Sequence, residues 1–415
     1  MRILYLCADF GIPVRGFKGA SVHVREVTEA LGLLGHEVVI LTPNVGEGNE
    51  ISAEVVYVPA PLFAPGVEAA LRAAGAPFGN GKQLAREVHE LAYNRTLRLA
   101  AASFASRWAP DCVYERYALF GLAGGALATR LGVPHLLEVN APLRIERGRA
   151  AGLALDWPAR WCERRIFGRA HRALCVSESM AAYVRARGAR PGRVLVLSNA
   201  VNADRFLPEY RADELRARLG YASDHVVVGF VGSLKSWHGV EHLVEAVARA
   251  RRDAPRLRLL IVGDGPARAA IERTVAHHQL ESVAILAGNV AHAQIPEYLA
   301  AMDITVAPYL EVPNFYFSPL KIFEYMAAGR PVVAARQGQI PEILSDDETG
   351  LLYPSGDIGA LAAHLGALAA RPEERRALGA RAAAMARARH TWTAVAERIG
   401  VIIREERACL GGCRR

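Results

Sequence analysis

The chain alternates strand-like and helix-like stretches in two separate series. In the first, short β-branched or aliphatic runs fall at 3–7, 37–41, 55–58, 112–114, 134–139, 173–176 and 194–197, with a clear helical spacing at 22–34. In the second, such runs fall at 226–231, 257–262, 283–286, 304–307 and 331–334, and helical stretches begin at Val240, Pro266, near Ile295 and at Leu320. Parallel strands need a long crossover between them, so this alternation predicts α/β domains, each with a doubly wound parallel sheet. At 415 residues the chain exceeds what one core supports. The rhythm lapses at 199–208, SNAVNADRFLP, which reads as a linker, and the expected domains are 1–200 and 201–385. Ligands of such sheets bind where the strands end at their carboxyl edges, so the active site is expected in a cleft between the two halves.

Composition narrows the class. Hydrophobic residues make up 52% and charged residues 22%, the balance of a globular enzyme and not of a disordered or fibrous chain. No apolar run reaches the roughly 18 residues of a membrane span, and MRILYLCADF runs straight into a strand pattern, so no signal peptide is expected. Six cysteines, Cys7, Cys112, Cys162, Cys175, Cys409 and Cys413, are spread thinly, a usage suited to the reducing cytoplasm. The net charge of +8 comes from basic residues interleaved with acids on many helices, which gives nucleic-acid binding little support. Lysine is rare: only Lys18, Lys82, Lys235 and Lys321, three of them in the loops below.

Two loops of the second half carry the chemistry. After 226–231 comes GSLKSWHG and then a helix, so its backbone N–H groups form an anion site. Lys235 supplies a compact charge for a phosphate, with Ser233 and His238 as further donors. In VPNFYFSPLKIFEYMAAGRPVV, Ser318 stands at an N-cap position, Pro319 opens a helix with Leu320 and Lys321, and Gly329 closes it. Glu324 lies one and a half turns in, where its carboxylate accepts from both ribose hydroxyls if phosphates hold the N-terminus. The plainer readings are a turn with a surface lysine and an amphipathic helix with an exposed glutamate.

GDGPAR, with Gly263 and Asp264, lacks the third glycine of a dinucleotide fingerprint, so a tight turn beside the nucleotide is expected and no hydride cofactor. Asn289 follows the next strand of that series and joins the binding candidates. Asp346 and Asp347 in SDDETG lack a third ligand and read as turn residues, so no metal is expected. In the first half, GIPVRGFKGASVHV offers Gly16 and Gly19 for close backbone approach and a helix that begins near Ser21, and Gly19 and Ala20 join the binding candidates. Between Arg144 and Arg172, eight arginines alternate with Trp157, Trp161 and Phe167. An interfacial helix on an anionic membrane fits this pattern, and so does the default, a surface helix that packs its tryptophans on the sheet.

Together these segments resemble the family 4 glycosyltransferases, retaining enzymes of the GT-B fold. The likeness rests on GASVHV, GHEVVILTP, CVSESM, SNAVNADRF, VGDGPAR and, most specifically, SPLKIFEYMAAGRPVVA. It implies transfer of a sugar from a nucleotide-diphosphate sugar, without cofactor, to a carbohydrate, lipid-linked or small-molecule acceptor in bacterial glycan, glycolipid or metabolite synthesis. It also implies that 386–415 crosses back onto the first domain. Candidate catalytic residues are Lys235, Glu324 and Asn140; Arg116 and Glu138 join the binding candidates. The chain departs from the family's pattern in three places. Ser233 and His238 replace an arginine and a lysine, Tyr316 stands where a first glutamate would be, and Asn140 lies near a customary histidine. Two other functions share the pattern: an epimerase of the same architecture, and a nucleotide-sugar-binding protein that does not turn over.

Overall fold

The computed structural model describes residues 1–412 apart from 17, 49 and 77–79. Two compact units form, one of Met1–Ser198 with the chain from Thr393 onward, the other of Asn199–Trp392.

The first unit holds a seven-stranded parallel sheet of β1 (Arg2–Cys7), β2 (Glu37–Thr42), β3 (Glu54–Tyr57), β4 (Cys112–Arg116), β5 (His135–Val139), β6 (Arg172–Cys175) and β7 (Val194–Val196), in the order β3-β2-β1-β4-β5-β6-β7. Helices cover both faces, so the central strands read as unbroken apolar runs: Ile3, Leu4, Tyr5, Leu6 and Cys7 are all fully buried. The sequence pattern left residues 59–111 without elements. They form the helices Pro65–Gly75 and Gly81–Trp108. The C-terminal helix, Trp392–Gly412, is tied to the first unit by ion pairs of Glu406 with Arg172 and of Arg407 with Asp111, both 2.7 Å.

The second unit holds a six-stranded parallel sheet of β8 (Val226–Val231), β9 (Leu257–Val262), β10 (Ala284–Gly288), β11 (Ile304–Ala307), β12 (Val332–Arg336) and β13 (Leu351–Pro354), ordered β10-β9-β8-β11-β12-β13. The last strand escaped the sequence reading because its four residues sit between turn residues; it is held by register with β12, Val333 opposite Leu351. Segment 199–208 is no slack linker. Val201 bridges Thr391 and is flanked by backbone bonds, Val201 N–H to His390 O at 2.9 Å and Trp392 N–H to Val201 O at 3.2 Å. Val201 and Phe206 are buried in the second unit's core, so polar neighbours masked two anchor residues.

Candidate active site

The reversal of strand order beside β8 puts three loops at the carboxyl edge of the second sheet, after β8, β9 and β11. The loops after β8 and β9 lie backbone to backbone: Leu234 N–H donates to Asp264 O and Ala267 N–H to Leu234 O, both 2.9 Å. A Cβ on Gly263 would lie 2.0 Å from the Gly232 carbonyl oxygen, so GDGPAR is a tight turn because two backbones touch there. Asp264 accepts from Gly265 N–H, and Asn289, one loop further on, is exposed.

Over this platform stands a wall of rings. Trp237 stacks on Phe317 at 4.6 Å and 8°, and lies 5.8 Å from Tyr309. Tyr316 is half-buried against Phe317 at 4.1 Å. Trp237, Tyr316 and Phe317 lie in the two loops singled out in the sequence, but the stacking that brings residues 80 positions apart together was invisible there.

The two lysines of the site differ. Lys235 is exposed, its ammonium 5.6 Å from the Trp237 ring centre. Lys321 is buried, its ammonium 4.0 Å from the ring centre of Phe230 and 5.3 Å from that of Tyr309, with no hydrogen-bond partner among the described residues. Burial pushes its pKa down to about 7, against the opposing pull of Glu324 one turn along the helix Leu320–Ala327. The site thus holds a buried lysine whose ammonium form lacks, among the described residues, the hydrogen-bonded anion that its desolvation calls for.

Two expectations are corrected. Ser318 does not cap its helix: Pro319 holds the N-cap position without a side-chain bond, while Ser318 Oγ accepts from Asn199 N–H at 3.0 Å and its carbonyl accepts from the Asn199 amide at 2.7 Å. The hydroxyl serves the neighbouring segment, because Pro319 turns the chain first. Nor does His238 offer the phosphate donor expected of it. Burial, with Lys321 nearby, pushes its pKa down to about 3, and Nδ1–H donates to the Ser233 carbonyl, leaving Nε2 as an acceptor. The Ser233 side chain is exposed.

Glu324 has a partner the sequence did not reveal. His292 Nε2 lies 3.2 Å from its Oε1, and Arg205 lies 3.3 Å from His292 Nδ1. An arginine can only donate, so Nδ1 accepts, Nε2 carries the proton and donates to the carboxylate. His292 sits in AHAQI, a stretch with no signature; only the fold joins it to Glu324. Asp346 accepts from Leu352 N–H and pairs with Arg336, the turn role expected of it.

In the first unit, Arg116 and Glu138 lie in register near the ends of adjacent strands, β4 and β5, and form a buried pair: Arg116 donates to Glu138 Oε1 at 2.6 Å and Tyr114 O–H to Oε2 at 2.7 Å. Burial pushes the pKa of neighbouring His23 down to about 4, so its Nδ1, 3.3 Å from Arg116, accepts. Each Glu138 oxygen thus accepts a bond from a strand β4 side chain, and the pair braces this edge of the sheet. Asn140, just past β5, has its Oδ1 buried and without a partner among the described residues. Gly19 and Ala20 open the helix Gly19–Leu33, two residues ahead of the expected start.

Two Rossmann-like units, each built on a parallel sheet, give the chain the GT-B α/β fold. Residues 18–200 match the model of the glycosyl transferase 4-like domain and residues 225–371 that of the glycosyl transferases group 1. The chain belongs to this family. It is 30% identical over 319 residues to D-inositol 3-phosphate glycosyltransferase of Saccharomonospora viridis, covering 73% of this chain and 72% of the relative. To alpha-D-kanosaminyltransferase of Streptomyces kanamyceticus it is 26% identical, covering 66% and 71%. Against the Streptomyces scabiei D-inositol 3-phosphate glycosyltransferase the match spans 64% of the relative's length. In fold it is similar to sucrose-phosphate synthase of Thermosynechococcus elongatus, with TM-score 0.72, 22% identity and coverage of 99% and 100%. It is also similar to HepE of Anabaena in complex with UDP, with TM-score 0.72, 18% identity and coverage of 98% and 100%.

Proposed function

We propose that the chain transfers a glycosyl group, with retention of configuration, from a nucleotide-diphosphate sugar to a carbohydrate, lipid-linked or small-molecule acceptor in the cytoplasm. The observation that carries this reading is the Lys321 ammonium, buried without a hydrogen-bond partner among the described residues beside the backbone of Gly232. A diphosphate is the anion that would satisfy it, and in this reading Lys321 takes the leading role given to Lys235 on sequence grounds. Ile322 N–H donates to the Pro319 carbonyl at 3.1 Å, and the Leu320 and Lys321 amides at the start of the helix Leu320–Ala327 would share the phosphate charge. Glu324, held by His292, would accept from the ribose hydroxyls. HepE, similar in fold, binds UDP and UDP-glucose.

In this reading the Lys321 ammonium stabilises the charge that collects on the leaving diphosphate as the glycosidic bond breaks. The acceptor hydroxyl attacks from the leaving-group face and passes its proton to the departing phosphate oxygen. The test is a calorimetric screen of nucleotide diphosphates, followed by product analysis of the tight-binding donor with an acceptor panel, reading anomeric configuration by NMR. Glycoside product with the donor's configuration is expected. Donor isomerised without acceptor would mean an epimerase, and binding without release of nucleotide would make Tyr316, in place of the first glutamate, the mark of a binding protein.

A further inference from the structure

The helix Asp156–Arg169 is amphipathic in an unusual sense. Its buried side is Ala159, Cys162, Glu163, Ile166 and Phe167. Its solvent side has two tryptophans along the middle: Trp157 is 75% exposed and Trp161 46% exposed. The default expectation, that these rings pack on the sheet, is overturned. Residues four apart share a stripe, so the two indoles lie side by side. Going round the helix, Arg160 and Arg164 flank them on one side and Arg165 and Arg169 on the other, all four exposed. The Arg165 guanidinium stands 5.4 Å from the Trp161 ring centre. The helix has one acid outside its buried side, Asp156 at its start, which is held by Arg144 and Arg160 at 2.8 Å each.

The helix is firmly fixed with this face outward. Glu163 on its inner side accepts from Tyr117 O–H at 2.9 Å and from Arg144 at 3.1 Å. An ordinary surface helix has its most polar residues at the centre of the solvent arc, whereas here indoles hold the centre and guanidinium groups both margins. We infer that this face is a docking surface for an anionic lipid bilayer, with Trp157 and Trp161 entering the interface and the four arginines meeting lipid phosphates. Indoles prefer the boundary between headgroup and acyl chain, and arginines snorkel from there to phosphate. Charge excludes a second copy as the occupant, because a two-fold contact would set the four arginines against their own images.

The experiment is co-sedimentation of the full chain at low salt with equimolar phosphatidylglycerol and phosphatidylcholine vesicles, with phosphatidylcholine vesicles as the neutral arm. The wild type is expected to sediment with the anionic vesicles and to be released by high salt. The double variants Trp157→Ala/Trp161→Ala and Arg164→Glu/Arg165→Glu should each weaken partitioning at least tenfold with unchanged melting temperature, since the replaced side chains face solvent. Wild-type protein left in the supernatant, or both variants sedimenting like wild type, overturns the proposal. So does a face that retains a fluorescent oligonucleotide, loses it in the variants and ignores vesicles.

Discussion

A side chain on residue 232 would stand 2.7 Å from the ammonium of Lys321, and Gly232 itself holds φ +145°. The backbone at the end of β8 and the lysine thus share one small space, which stays open because residue 232 has no Cβ. Lys321→Met should produce two opposite changes. Removing a buried, unpaired charge raises the melting temperature, while loss of charge-assisted contacts weakens nucleotide-diphosphate binding by about 1.5–3 kcal/mol, or roughly ten- to hundredfold. Lys235→Met should change affinity less, because its ammonium is already in water. Calorimetry on both variants decides which lysine holds the phosphate, and a larger loss for Lys235→Met would refute this assignment.

Binding should depend on pH through the same group. Burial holds the free protein's Lys321 near pKa 7, below its unfolded value, so between about 7 and the unfolded pKa the unfolded chain binds the extra proton and the lysine's contribution to stability improves as pH rises. An anionic ligand favours the ammonium form and raises that pKa, so affinity is greatest below about 7 and falls above it, by up to about tenfold per pH unit. Titrations near pH 8 in buffers of different ionisation enthalpy should show close to one proton taken up per nucleotide bound. Lys321→Met should abolish that uptake.

His292 acts through Glu324. With Arg205 on its Nδ1, the imidazole presents one N–H to the carboxylate and fixes its rotamer. His292→Leu should therefore weaken a ribonucleotide diphosphate about three- to tenfold, the size of one lost hydrogen bond. The deoxyribose analogues should change less, and His292→Gln, whose amide can donate from a similar place, should restore part of the loss. Equal losses for ribose and deoxyribose ligands in Glu324→Ala would show that the carboxylate does not touch the sugar hydroxyls.

The strands were legible because a parallel strand covered on both faces has to be an apolar run, as in Val226–Val231 and Leu257–Val262, both traced to their ends. β13 was not, since four residues between turns carry no period. Loop chemistry singled out GSLKSWHG and the segment around Ser318 but not the geometry that brings them together. Lys235 and Lys321 look alike in sequence, and only burial separates them. Ser318 followed the N-cap rule and was diverted by Asn199, 119 positions away. Trp157 and Trp161 had the spacing of one helical stripe, but which way the stripe faces depends on what else the helix buries, here Ile166, Phe167 and Glu163.

Arg116 and Glu138 give the final test, because the fold assigns them to each other. Glu138→Gln would leave a buried guanidinium facing a neutral amide, and removal of one partner of such a pair costs about 3–5 kcal/mol. Replacing both at once, Arg116→Met with Glu138→Leu, removes the stranded charge and should cost much less, so a double-mutant cycle in urea should show strong coupling. A carboxylate that serves substrate behaves otherwise: Glu138→Gln would keep the urea midpoint and lose sugar transfer. The bonds it already accepts from Arg116 and Tyr114 favour the loss of stability.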